Sequence, residues 1–283
     1  MENIVGLTEV LEEINSLKSL PNSFCLVGSE GSGKHTLAKY INNKFFDVEY
    51  LDITDTLNEE TIDSIYRYPQ KRLYIIDINK LTEKDQNKLL KFLEEPFANI
   101  YICLLANSEL SLLSTIRNRV SIFKLDYYTF DELDIIAKNN NINIDSFYYG
   151  KCIFTPGDVL KVKTNNIDLK AIDELTDKIV NKLSVASFPN TLSIIDKLNF
   201  KGEYDKLDVD FVLSLLYNKY IWKYINNPEC NGYIVKLAIA VSRCKTHLLT
   251  DPRLDKKKQV TSMLIELWEI EHGTQGTKKE NIK

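Results

Sequence analysis

The stretch GSEGSGKHTLA, residues 28–38, constrains this chain more than any other. It follows a short apolar run, SFCLV at 23–27, and leads into KHTLAKYINNKFF, which has helical periodicity. Glycines at this spacing, between a strand and a helix, form a phosphate-binding loop. They let backbone N–H groups turn inward on an anion, and the helix N-terminus adds partial positive charge. Gly28, Ser29, Glu30, Gly31, Ser32 and Gly33 would form the cradle, with Lys34 reaching the outer phosphates. His35 stands where a serine or threonine hydroxyl would hold magnesium, and its ring nitrogen is a poor substitute for oxygen. Thr36 cannot replace that hydroxyl, because the next helical residue points about 100° away.

The flanking sequence alternates strand and helix signals over about the first 125 residues, as a parallel α/β domain requires. VEYLDI (48–53), RLYIID (72–77), IYICLLAN (100–107) and VSIFKL (120–125) read as strands, and EETIDSIYRY (59–68) as a helix. Thr82, with Asp85 three residues on, reads as the N-cap of EKDQNKLLKFLEE, and Pro96 as its stop. From Thr129 onward helical periods alternate with Asn-rich turns, and no strand is expected. The main helices fall near LKAIDELTDKIVNKL, DVDFVLSLLYNKYIWKYI, GYIVKLAIAVSRCKTHLL and KKQVTSMLIELWEI, with GTQGTKKENIK as a frayed tail. Trp222, Trp268 and the tyrosines of LYNKYIWKYI recur at helical spacing and read as core or subunit-packing residues.

Composition narrows the function classes. A net charge of -4 argues against strong sequence-independent nucleic-acid binding by the chain alone. No run approaches the ~18 apolar residues of a membrane span, and MENIVGLTEV lacks the pattern of a signal peptide. Five cysteines, never at CxxC spacing, point to a reducing cytoplasm and away from disulfides or zinc. The three histidines are too dispersed for a metal site, and Lys256, Lys257 and Lys258 read as a solvated face.

Asp77 closes RLYIID where a buried strand would present a carboxylate to magnesium beside the loop. The residue after it is Ile78, which cannot orient a water molecule as a glutamate would. Taken alone, Asp77 could equally cap a turn, and Asn107 at the end of the fourth strand could be a turn residue. Arg117 and Arg119 alone would most simply pair with surface carboxylates.

Together, LTEKDQNKLLKFLEEP and IYICLLANSELSLLSTIRNRV resemble the core of bacterial DNA polymerase III clamp-loader subunits. The likeness runs from IVGLTEV through SFCLVGSEGSGKHTLA and RLYIID to TIRNRV, about half the chain at motif level. It implies an α/β AAA+ P-loop domain with a parallel sheet over 1–126, a small helical lid over 127–167 and an all-α collar over 168–283. In that family Asn107 would be the first sensor. Arg119 would be an arginine finger reaching a neighbour's nucleotide, with Asn118 and Val120 replacing the usual serine and cysteine.

Departures from the family's ATPases fall together at His35, Ile78 and Asp158, the last standing where a lid arginine is expected. The four-cysteine zinc insertion of many relatives is absent. That pattern implies a non-hydrolysing stator of the delta-prime kind, able to hold ATP or ADP with weak magnesium dependence. Its partners would be other clamp-loader subunits in a hetero-pentamer, a sliding clamp and primer-template DNA within the complex. The alternatives are an ATP-hydrolysing subunit of the gamma/tau or phage small-subunit type and another AAA+ ATPase such as a helicase loader.

Overall fold

The computed structural model describes residues 4–45, 51–53, 72–95, 100–182, 208–226, 231–250 and 255–280. Five parallel strands form one sheet: β1 (Ser23–Val27), β2 (Leu51–Ile53), β3 (Arg72–Asp77), β4 (Ile100–Ala106) and β5 (Ser121–Lys124). Their order is β2-β3-β4-β1-β5, so β1 lies between β4 and β5. The register pairs Val27 with Ala106 and Asp77 with Leu105. The carboxyl ends of three neighbouring strands, β3, β4 and β1, therefore share one edge, where ligands bind in open α/β sheets.

Alternation along the strands splits the core into two layers. Phe24 and Leu26 of β1, with Leu73, Ile75, Cys103 and Leu105, face α1 (Thr8–Ser16) and α2 (Lys34–Phe45). Cys25 and Val27, with Tyr74, Ile76, Leu104 and Ala106, face the opposite side and α3 (Glu83–Glu94). Both faces are covered, which is why these strands read as continuous apolar runs. Thr82 caps α3 by accepting Asp85 N–H at 3.3 Å. The helix ends at Glu94, and Pro96 lies outside the described residues.

A short helix, α4 (Ser114–Arg117), precedes β5, and α5 (Phe130–Asn139) follows it behind a capping box of Thr129 and Glu132. Then come α6 (Pro156–Thr164), α7 (Leu169–Lys182), α8 (Val209–Asn226), α9 (Asn231–Thr250) and α10 (Lys256–Glu280). Two of the Asn-rich turns contain left-handed residues, Asn141 and Asn166, a conformation asparagine tolerates well. The chain divides into two compact units, Met1–Asn141 with Phe154–Val159, and Ile142–Ile153 with Leu160–Lys283. In the second unit Ile172, Leu213, Leu216, Tyr220, Leu237, Val241, Leu264 and Leu267 are buried.

Three details differ from the sequence reading. The helix α1 went unread, although Val10 and Ile14, four apart, are both buried. Residues 273–280, read as frayed, continue α10, so its two glycines slow but do not stop helix propagation. Of the two roles read for Trp222, 69% exposure removes the core one and leaves subunit packing, while Trp268 stacks on His272 at 4.1 Å between ring centroids. The helix expected over 59–68 and the first half of the 48–53 strand lie outside the described residues.

Candidate nucleotide site

The loop takes its shape from two left-handed glycines, Gly31 (φ 75°) and Gly33 (φ 92°). Only glycine adopts these angles without strain. Neighbours enforce the same choice. A Cβ on Gly31 would come 2.7 Å from Thr155 Oγ1 and 2.9 Å from Gly157 Cα, and one on Gly33 would meet Tyr128 Oη at 3.2 Å. Gly28 continues β1 by donating its N–H to Ala106 O at 3.1 Å.

Lys34 is buried at the first turn of α2. Its ammonium donates to Gly28 O at 2.6 Å, Ser29 O at 2.8 Å and Asn107 Oδ1 at 2.9 Å. Burial holds its pKa below the ordinary lysine value, opposed by Asp77, Glu30 and Cys25. His35 and Thr36 are exposed on α2, and Ser32 is buried with its Oγ unpaired.

Asp77 accepts two hydrogen bonds through Oδ1, from Asn79 N at 3.0 Å and Asn79 Nδ2 at 2.7 Å. Asn79 Oδ1 in turn accepts Asn107 N–H at 2.9 Å. Asp77, Asn79, Asn107 and Lys34 thus form one connected chain across the ends of β3, β4 and β1. The sequence reading named three of its members and missed Asn79. Its signal was the Asp-x-Asn spacing of an Asx turn immediately after a strand.

Ile78 is 1% exposed and packs into the core layer beneath α3. A side chain at this position enters that apolar layer and not solvent. Asp158 also has a definite role. Its Oδ2 accepts from Phe154 N and Thr155 N, both at 3.0 Å, while Thr155 Oγ1 accepts Asp158 N–H at 3.2 Å. Together they form a reciprocal cap on α6.

Arg119 lies apart from this chain of residues. Its guanidinium donates to Thr115 O at 2.7 Å and pairs with Glu94 at 2.8 Å, with both side chains more than a third exposed. Arg117 is exposed as well.

The site suits phosphate better than magnesium. Loop N–H groups, the α2 terminus and the Lys34 ammonium are anion-binding elements. For a cation, the residues around the loop offer Asp77, the exposed Glu30 and a histidine where a hydroxyl is needed. Among the described residues no group of three or more His, Cys, Asp and Glu side chains could hold a metal ion. No described helix is long and apolar enough to cross a membrane.

Residues 50–129 match the family described as DNA polymerase III, delta subunit. The DNA polymerase III subunit delta' of Haemophilus influenzae is 38% identical over 75 residues, 26% of this chain and 23% of that protein. The DNA polymerase III subunit delta' of Buchnera aphidicola subsp. Schizaphis graminum is 31% identical over 99 residues, 35% and 29% of the two chains. These matches span about a quarter of each relative's length.

Among solved structures, the RuvB Holliday junction branch migration motor of Thermotoga maritima superimposes with a TM-score of 0.51 and 19% identity. That likeness covers 96% of this chain and 88% of the other. A DNA polymerase III gamma subunit-related protein of Thermotoga maritima gives 0.50 and 14%, covering 94% and 99%. At these identities the likeness speaks for the fold alone, a parallel α/β P-loop domain followed by helices.

Proposed function

We propose that this chain is a clamp-loader subunit of the delta-prime kind, a reading supported by the match of residues 50–129 to the DNA polymerase III delta subunit family and by the two delta' relatives. It helps load a sliding clamp onto primed DNA in the cytoplasm, as one member of a hetero-pentamer. It holds ATP or ADP with weak magnesium dependence and does not hydrolyse it. Residues 1–126 act as the AAA+ core, 127–167 as the lid and 168–283 as the collar, where exposed Trp222 and Ile225 suit subunit packing.

The observation that carries the non-hydrolysing reading is the burial of Ile78 beside Asp77, which leaves no carboxylate at that position to orient water. His35 and the capping role of Asp158 point the same way. Catalytic use then passes to Arg119, offered to a neighbour's nucleotide. A guanidinium supplies a permanent charge and a fork of donors, and a finger of this kind is worth ~10³–10⁵ in rate at the site it serves.

The test is a reconstituted complex carrying Arg119→Ala or Lys34→Ala in this chain. Arg119→Ala should slow DNA- and clamp-stimulated ATP hydrolysis, and Lys34→Ala should spare it. The reverse result would make this chain a working ATPase of the gamma/tau kind. That alternative draws on the connected Lys34, Asn107 and Asp77.

A further inference from the structure

Four carbonyls of the phosphate loop are held by other groups. Lys34 takes the Gly28 and Ser29 oxygens. The next two come from residues far along the chain: Gly157 N–H donates to Gly31 O at 2.9 Å, and Tyr128 Oη–H donates to Ser32 O at 3.0 Å.

In a trans peptide the carbonyl and the following N–H point in opposite directions. Fixing the Ser32 oxygen therefore fixes the orientation of the Gly33 N–H, while the Ser32 N–H that the Gly31 oxygen orients closes the loop on Ser29 O at 3.2 Å. We propose that Tyr128 and Gly157 are positioning residues of the phosphate loop, holding it by its carbonyl side so that its N–H side faces a nucleotide's phosphates. This deepens the nucleotide-binding reading above and rests on it.

Both contacts are built closely. A Cβ on Gly157 would lie 2.5 Å from Gly31 Cα, so no other residue fits there without moving the loop. The Tyr128 ring covers Gly6, whose Cβ would come within 2.7 Å of it, and its hydroxyl closes over Gly33. Burial raises the phenol to about 12, so it remains a donor throughout the neutral range. Gly157 is the second residue of α6, and Pro156 before it has no N–H. The Gly157 N–H is one of the donors that a helix start leaves without an internal partner. Here it serves the loop.

The experiment compares Tyr128→Phe, Gly157→Ala and the control Tyr127→Phe, whose tyrosine is 97% exposed one residue away. ADP affinity, thermal midpoint without nucleotide and amide exchange over residues 28–36 are measured on the full chain. Loss of one such hydrogen bond should weaken ADP binding by about 3- to 10-fold in Tyr128→Phe, with a nearly unchanged midpoint. Amide exchange at residues 32–35 should rise, and Tyr127→Phe should match the wild type. Tyr128→Phe binding ADP within twofold of wild type would overturn the proposal. If the wild-type chain binds no ADP at all, the nucleotide reading fails separately. The bracing is then judged on exchange alone, and an unchanged rate at 32–35 in Tyr128→Phe overturns it.

Discussion

The Lys34 ammonium and the Asn107 side chain meet at 2.9 Å across the ends of β1 and β4, 73 residues apart in sequence. Asn107 is held by Asn79, and Asn79 holds Asp77. One asparagine therefore sets the position of the residues on both neighbouring strands. Asn79→Ala removes its side-chain hydrogen bonds to Asp77 and Asn107 at an exposed turn and keeps the backbone one to Asp77, so the expected loss of stability is about 1 kcal/mol in urea unfolding. ADP affinity should fall along with it. Asn79→Asp should restore the acceptor for Asn107 but place a second carboxylate against Asp77, so it should bind ADP more weakly than wild type. Wild-type affinity in Asn79→Ala would remove Asn79 from the site.

Motif repair should disrupt the fold at one position and be tolerated by it at the other. Ile78→Glu would restore the missing carboxylate on paper, but the side chain enters a packed apolar layer. A buried unpaired carboxylate costs several kcal/mol, so the variant should melt far below wild type or fail to fold. His35→Thr lies on an exposed helix face and should leave the thermal midpoint nearly unchanged. Neither variant should turn over ATP as an isolated chain. Steady hydrolysis near 1 s⁻¹ by wild type, abolished in Lys34→Ala, would contradict this.

Particular residues show what could be read from the amino-acid order. Residues 23–27 and 72–77 are apolar on both faces because both faces are covered, and both runs lie in the sheet where periodicity put them. The loop was legible because its glycines answer to backbone angles, which are local. Asn79 and Tyr128 were not. Their roles depend on contacts with residues 28 and 96 positions away; the Asx-turn spacing after Asp77 marks Asn79 as a turn residue but not as the partner of Asn107. Ile78 could be recognised as a missing glutamate, but only burial explains why putting the glutamate back should fail.

Cys25 gives a pH-dependent test. Burial raises its thiol from 9.0 to about 12, with Lys34 opposing and Glu109 adding to the rise. The folded chain keeps this proton where the unfolded chain has lost it. The contribution to stability is thus fully present below pH 9 and is lost as pH climbs through 12. Native protein at pH 8 should leave Cys25 unalkylated by iodoacetamide, and unfolding should expose it to the reagent. Cys25→Ala should reduce the fall in stability between pH 9 and 12. Rapid alkylation of Cys25 in the folded chain would contradict its burial.

The Arg119–Glu94 pair separates two roles for one arginine. Both side chains are more than a third exposed, so a double-mutant cycle should give a coupling of at most about 1 kcal/mol. If Arg119 serves only that pair, Glu94→Ala and Arg119→Ala remove the same interaction and must affect the assembled complex alike. If Arg119 reaches a neighbour's nucleotide, the two variants part company. Glu94→Ala then frees the guanidinium and leaves stimulated hydrolysis at or above wild type, while Arg119→Ala slows it. Arg119→Lys should rescue poorly, because an ammonium keeps the charge but lacks the planar fork. Equal losses in Glu94→Ala and Arg119→Ala would return Arg119 to the surface pair and remove it from catalysis.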